Sequence, residues 1–137
     1  MKRNAFLAVI FALLLAACTW HGPDTRKLDP DNPQVSVVDG KITIDQETVH
    51  FGKEKKDFKI TWNLPVNSPY RFAENDGIFI VGGGDEFYRC RQEENGVRFS
   101  CMNRNSKPGR NRYKYNIAVE GSPAVRPLDP IIDNDNL

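Results

Sequence analysis

Alternation of apolar and polar residues dominates the chain from Val35 onward. The clearest run covers residues 58–64 and would place four large apolar side chains on one strand face: Phe58, Ile60, Trp62 and Leu64. Similar alternation occurs at residues 35–38, 41–45, 48–51 and 113–120. Turn signals separate these runs every 8–12 residues or so, a spacing typical of sandwiches and small barrels. The pattern predicts an all-β domain, a small β-sandwich of about 7–9 short antiparallel strands.

Two apolar segments depart from simple alternation. Residues 78–81 (IFIV) are apolar on both faces, which predicts a central strand that is covered on each side. Gly82–Gly84 then predicts a hairpin loop into the next strand. Near the end of the chain, Ile131 and Ile132 predict a short edge strand in a Pro- and Asp-rich segment.

The segment from Phe87 to Met102 contains the strongest hairpin signal, because two alternating runs flank Asn95-Gly96. With those two residues as the turn, Glu94 faces Val97 and Cys90 falls opposite Cys101, which predicts one disulfide within the hairpin. The alternatives are a reduced buried pair and a zinc site, although His21 and His50 are too scattered to complete a ligand cluster. This register predicts a core face and an outward face. The core face would carry Tyr88, Cys90, Val97, Phe99 and Cys101, and the outward face would carry Arg89, Arg91, Arg98 and Ser100.

The first residues have the pattern of a secretion signal. Lys2 and Arg3 precede an apolar run at residues 5–17, which is shorter than the roughly 20 residues of an ordinary transmembrane helix. Residues 15–18 (LAAC) resemble the lipobox of bacterial lipoproteins. This resemblance implies cleavage before Cys18 and attachment of a diacylglyceryl group to its thiol, and the alternative is an ordinary signal peptide with a chance cysteine. Thr19, in place of an Asp, favours the periplasmic face of the outer membrane over the inner membrane.

We therefore expect a signal peptide at residues 1–17, a lipid-anchored flexible tether at 18–34 and a single sandwich domain at 35–137. The alternating Phe-x-Ile-x-Trp-x-Leu and Tyr-x-Tyr-x-Ile-x-Val rows resemble those of an immunoglobulin-like module. That resemblance is architectural, because a cysteine pair within one hairpin differs from the antibody pattern.

Charge is nearly balanced, with 19 basic and 18 acidic side chains, so no overall field indicates a nucleic-acid partner. Residues 89–114 are the exception, with eight basic side chains against two acidic ones. Arginines can bind phosphate or carboxylate groups with two hydrogen bonds each. The candidate ligand-binding residues are Arg89, Arg91, Arg98, Arg104, Arg110 and Arg112. The alternative is a set of solvated strand faces, partly paired with Asp129, Asp133 and Asp135.

The sequence contains few candidate catalytic, phosphate-binding or metal-binding motifs. No serine or cysteine has a base near it in sequence, and Gly82–Gly84 is not followed by a helical pattern or a Gly-Lys-Ser/Thr sequence. The aspartates lack calcium-loop spacing. We expect no catalytic residues, metal or cofactor. The predicted function is a non-catalytic binding or envelope-assembly lipoprotein that contacts an envelope protein or an anionic envelope component. The alternative is a periplasmic inhibitor of a cell-wall hydrolase.

Overall fold

The computed structural model of the protein describes residues 27–137, which contain eleven short strands and two single 3₁₀ turns. The strands are β1 (Val35–Val38), β2 (Lys41–Ile44), β3 (Thr48–Gly52), β4 (Phe58–Asn63), β5 (Arg71–Phe72), β6 (Ile78–Ile80), β7 (Phe87–Glu93), β8 (Arg98–Asn103), β9 (Gly109–Ile117), β10 (Val119–Glu120) and β11 (Ile131–Asn136). The 3₁₀ turns are Gly84–Glu86 and Glu94–Gly96. Within this range, no helix has the length and apolar character needed to cross a membrane.

Two main sheets form the fold. The hairpin sheet has the order β4-β8-β7, and the C-terminal sheet has the order β3-β11-β9-β6. Strands β1 and β2 form a separate hairpin, and β5 pairs with β10. The predicted all-β sandwich with its hairpin disulfide is confirmed. The strands are more numerous than expected, and β3 pairs with β11 in parallel, whereas all-antiparallel pairing was predicted.

The core lies between the two sheets and is lined by aromatic rings. Trp62 of β4 packs against Tyr115 of β9 with ring centroids 5.3 Å apart, and Phe87 of β7 packs against Tyr113 of β9 at 5.1 Å. Such pairs contribute about 0.5–1.5 kcal/mol beyond the burial of their area. The alternating rows that contain Trp62 and Tyr113 therefore face each other across the sandwich, as their pattern predicted.

A buried pair of amides also joins the sheets. The Asn103 side chain at the end of β8 and the Asn134 side chain of β11 exchange hydrogen bonds of 2.9 and 3.1 Å. Asn103 Oδ1 accepts a further bond from the Asn105 backbone N–H at 2.9 Å. Because buried amides are costly when left unpaired, this mutual pairing specifies how the two sheets align.

The predictions for β6 and β11 were wrong. β6 is an edge strand, and Phe79 within it and Val81 directly after it are 56% and 49% exposed. β11 is central, between β3 and β9, and extends from Ile131 through the polar residues to Asn136. The chain from β6 to β7 crosses between sheets, so Gly82–Gly84 does not form a hairpin loop.

The ordered domain begins before the predicted boundary at residue 34. The backbone N–H of Thr61 donates to Asp31 O at 2.8 Å, and that of Asn63 donates to Pro33 O at 3.0 Å. Lys55 pairs with the Asp31 carboxylate and lies 5.0 Å from the centroid of the Phe58 ring. Residues 31–34 thus lie along β4, within the segment that was predicted to be a flexible tether.

The hairpin of β7 and β8 has the predicted turn and the predicted register near it. Asn95 and Gly96 have φ of +52° and +84°, and Val97 N–H donates to Glu94 O at 3.2 Å. The pairs nearest the turn are Glu93–Arg98, Gln92–Phe99 and Arg91–Ser100. The predicted disulfide joins Cys90 and Cys101, with Cα atoms 4.1 Å apart.

Candidate functional site

The basic stretch between residues 89 and 114 does not form one surface. Arg89, Arg91, Arg98 and Arg104 belong to the hairpin sheet or the loop after it, whereas Arg110 and Arg112 lie on β9 of the C-terminal sheet. Phe99 of the first sheet and Tyr113 of the second point into the core, so the exposed arginines beside them point away from it. The candidate residues are therefore divided between two opposite outer faces, which we call the hairpin face and the C-terminal face.

A β-bulge changes the hairpin face. Tyr88 pairs with Met102 while Arg91 pairs with Ser100, so Arg89 and Cys90 together lie opposite Cys101. The extra residue reverses the predicted alternation beyond this point. Phe87 is buried and Tyr88 joins the outward side, so the prediction that Tyr88 lies on the core face was wrong. Cys90, which was also predicted on the core face, is exposed, and Ser100, which was predicted on the outward face, is buried.

The bulge brings two arginines to one aromatic ring. The guanidinium carbon of Arg104 lies 4.8 Å from the Tyr88 ring centroid, and that of Arg89 lies 5.9 Å from it. The Tyr88 hydroxyl donates to Asp57 Oδ1 at 3.3 Å. Arg89 has φ of +52°, a left-handed conformation that bulky residues rarely adopt. This group of Tyr88, Arg89 and Arg104 is the arginine–tyrosine cluster.

Further along the hairpin face, Glu93 partly neutralises its neighbours. Its Oε1 accepts a hydrogen bond from Ser100 Oγ at 2.8 Å and lies 3.5 Å from Arg91 Nε, while Oε2 lies 3.6 Å from Lys59 Nζ. The Ser100 hydroxyl, followed by the nearby Lys59 and Arg91 charges, holds the pKa of Glu93 below its ordinary value despite partial burial. At the turn, Arg98 Nη1 lies 2.6 Å from Glu94 Oε1.

On the C-terminal face, the side chains of Arg110 and His50 both contact the carboxylate of Asp133. Asp133 of β11 is fully buried, and it accepts hydrogen bonds from Arg110 Nε at 3.0 Å and from Arg110 Nη2. His50 Nδ1 of the neighbouring strand β3 lies 3.1 Å from Asp133 Oδ2. The Arg110 hydrogen bonds hold the pKa of Asp133 below its ordinary value although burial opposes this, and the charges of Arg110, His50 and Arg112 act in the same direction.

One alternative was that the tail aspartates partly pair with the basic residues. Asp133 forms such an ion pair with Arg110. The sequence alone did not indicate the contact with His50, because it depends on the parallel pairing of β3 with β11. Histidine at a strand position and an aspartate eighty-three residues later carry no local signal of contact.

The loop between β8 and β9 is held by a second buried carboxylate. Glu86 Oε2 accepts a hydrogen bond from the Ser106 backbone N–H at 2.8 Å, and its Oε1 accepts one from the Ser106 hydroxyl. Burial alone would raise the pKa of Glu86, but these hydrogen bonds and the nearby Lys107 charge hold it below its ordinary value. The Arg104 backbone N–H also donates to Glu86 O at 2.8 Å, and this hydrogen bond helps to hold the Arg104 backbone in place.

The remaining features of residues 27–137 are modest. An open groove of about 390 Å³ lies at the hairpin turn, where Val66, Val97 and Arg98 are among its lining residues. Over the same range, no three His, Cys, Asp or Glu side chains converge as metal ligands would. Cys18 and His21 lie outside the described residues, so the predicted lipidation stays a prediction.

No protein-family model matches the chain, and a comparison with curated proteins finds no match either.

Proposed function

We propose that the chain is a lipid-anchored, non-catalytic binding module on the periplasmic side of the bacterial outer membrane. The Leu15-Ala16-Ala17-Cys18 motif supports the anchor, with acyl chains on Cys18 holding the protein to the membrane. The oxidised Cys90–Cys101 pair agrees with an extracytoplasmic compartment, because disulfides persist in oxidising environments.

The observation that carries the binding role is the charge of the hairpin face. Four carboxylates lie on or beside it, Asp57, Glu74, Glu93 and Glu94, and they are outnumbered by five cationic side chains: Lys59, Arg89, Arg91, Arg98 and Arg104. The face lies on a sheet that a disulfide and a packed aromatic core hold rigid, so its charges are pre-positioned. A pre-positioned cationic surface suits an anionic envelope component or an acidic patch of an envelope protein, and it steers such partners toward it.

Membrane fractionation tests the anchor. Cys18→Ala should move the protein from the membrane fraction to the soluble periplasmic fraction, because no acyl chain can then attach. Thr19→Ala is a matched control next to the same site and should leave the protein in the membrane fraction. An unchanged membrane fraction for Cys18→Ala would refute the anchor.

Affinity capture from envelope extracts tests the binding role. The triple variant Arg89→Ser, Arg91→Ser and Arg98→Ser should lose the captured component, because it removes most of the cationic charge of the hairpin face. The double variant Arg112→Ser and Lys114→Ser removes charge from the opposite face and should retain it. Equal capture by both variants would show that the hairpin face is not the binding surface, and capture of a muramidase would favour the hydrolase-inhibitor alternative over envelope assembly.

A further inference from the structure

Among the described residues, the arginine–tyrosine cluster differs from Arg91 and Arg98 in having no ion-paired carboxylate. Arg91 lies near Glu93 and Arg98 near Glu94, but no carboxylate between residues 27 and 137 lies within ion-pairing distance of Arg89 or Arg104. Two acidic side chains near the cluster accept hydrogen bonds from other residues: Asp57 from the Tyr88 hydroxyl, and Glu86 from Ser106.

The backbone on both sides of the cluster is constrained. Arg89 occupies a bulge position with φ of +52°, and the next residue, Cys90, is covalently tied to Cys101. Bulges reorient side chains and are common next to functional sites, and residues held in rare backbone conformations concentrate there as well. The Arg104 backbone is held from the other side through its hydrogen bond to Glu86 O.

We propose that Tyr88, Arg89 and Arg104 form a phosphate-binding site, with the Cys90–Cys101 disulfide as the element that positions Arg89. This inference rests on the proposed function of the hairpin face and names the ligand class of that face. Two guanidinium groups supply two positive charges and paired N–H donors, which match the charge and the oxygen atoms of a phosphate monoester. The guanidinium carbons of Arg104 and Arg89 lie 4.8 and 5.9 Å from the Tyr88 ring centroid, so the ring restricts the orientation of both side chains.

A phosphate group suits the cluster better than a carboxylate does. Glu93 and Glu94 each lie near one arginine, Arg91 and Arg98 respectively, whereas the cluster gathers two arginines at one ring. One carboxylate would neutralise only half of that charge. A phosphate monoester carries a charge of about −1.5 to −2 at neutral pH and neutralises most of it.

Calorimetric titration of the full chain carrying Cys18→Ser tests the proposal. The probes are inorganic phosphate, acetate and the short-chain lipid dihexanoyl phosphatidic acid. Phosphate and the lipid should both bind more tightly than acetate. Tighter binding of the lipid than of phosphate indicates a lipid headgroup as the natural source, and tighter binding of inorganic phosphate indicates a free phosphate. Equal or tighter binding of acetate would overturn the assignment.

Variants locate the binding on the face. Arg89→Ala and Arg104→Ala should each weaken phosphate binding about tenfold, because each removes charge-assisted hydrogen bonds to the anion. Arg112→Ala and Lys114→Ala are the controls, since these exposed side chains lie on β9 of the other sheet, and they should change binding less than about twofold. Losses as large for the controls as for the cluster variants would show a diffuse charge effect and refute the site.

The role of the disulfide has its own readout. Reduction of the folded protein should weaken phosphate binding about as much as Arg89→Ala does, and reduction of the Arg89→Ala variant should cause little further loss. Circular dichroism confirms that the reduced protein stays folded. If the reduced protein unfolds, Arg89→Lys tests the site instead: it keeps the charge but loses the paired N–H donors, so phosphate binding should weaken, and undiminished binding would refute the site. Undiminished binding after reduction, or equal losses in both backgrounds, would refute the positioning role. The fractionation of Cys18→Ala does not depend on any of these titrations, so failure of the site and failure of the membrane anchor are distinguishable.

Discussion

The two outer faces of the sandwich carry similar side chains and use them differently. On the C-terminal face, Arg110 and His50 converge on Asp133, a carboxylate that is completely buried. On the hairpin face, Arg89 and Arg104 converge on the ring of Tyr88 and have no carboxylate partner within residues 27–137. A buried anion needs compensation, so it makes its arginine part of the fold, whereas an aromatic ring orients an arginine and leaves its charge free for a ligand.

The clearest expected effect of a single substitution on folding is on the C-terminal face. Arg110→Ala should lower the free energy of unfolding, because it leaves the buried Asp133 carboxylate without its main donor. Arg112→Ala is the matched control on the same strand and should change stability by less than about 0.5 kcal/mol. Urea denaturation measures both. A loss for Arg112→Ala equal to that for Arg110→Ala would contradict the assignment of Asp133 to one arginine.

The hairpin face depends on its disulfide. Replacing both Cys90 and Cys101 with Ala should lower the free energy of unfolding by about 2–3 kcal/mol, the value expected for a bridge that closes a loop of this length. Urea denaturation of the double variant beside the oxidised protein provides the measurement. Unchanged stability would mean that the bulge and turn retain the hairpin without the covalent link.

Acid should reduce the difference between Arg110→Ala and the unchanged protein. The pKa of Asp133 is lowered in the folded state, so its contribution to stability is present above the unfolded-state pKa and is lost as pH falls through the folded-state pKa. The stability difference should therefore be full near pH 6 and should shrink below about pH 4. Denaturation at a series of pH values tests this expectation, and a difference that grows in acid would contradict it.

A smaller effect is expected at Glu93. Glu93→Gln keeps an oxygen that can accept from Ser100 but removes the attraction to Lys59 and Arg91, so we expect a loss of about 0.5–1 kcal/mol. Because the pKa of Glu93 is lowered on folding, the loss should be present at neutral pH and disappear in acid. Thermal denaturation at pH 7 and pH 3 provides the comparison.

The smallest effect on folding should occur in the arginine–tyrosine cluster. Arg104→Ala removes an exposed side chain without an ion pair in the described residues, so the free energy of unfolding should change by less than about 0.5 kcal/mol. A loss similar to that of Arg110→Ala would make the two faces equivalent and remove the basis for assigning a ligand to the hairpin face. Urea denaturation of the two variants side by side makes this comparison.

Local pattern was sufficient for much of the fold. The inward row of β4, the Asn95-Gly96 turn and the pairing of Cys90 with Cys101 all follow from alternation and turn chemistry, which act between near neighbours. The same reasoning was insufficient for β11. Asp and Asn are poor strand formers, so the sequence pattern did not predict a strand over the polar half of Ile131–Asn136. Its side chains find partners only when β3, β8 and β9 surround them.

For the candidate site, the sequence by itself determined which arginines exist, the strands that carry them and the residues of the disulfide. Only the tertiary structure decided which arginines share a surface. The core separates Arg89 and Arg104 from Arg110 and Arg112, and the bulge transfers Tyr88 from the expected inner face to the outer one. One additional residue opposite Cys101 reverses the facing of every residue beyond it. Alternation cannot reveal such an insertion, because each half of the strand still has a period of two.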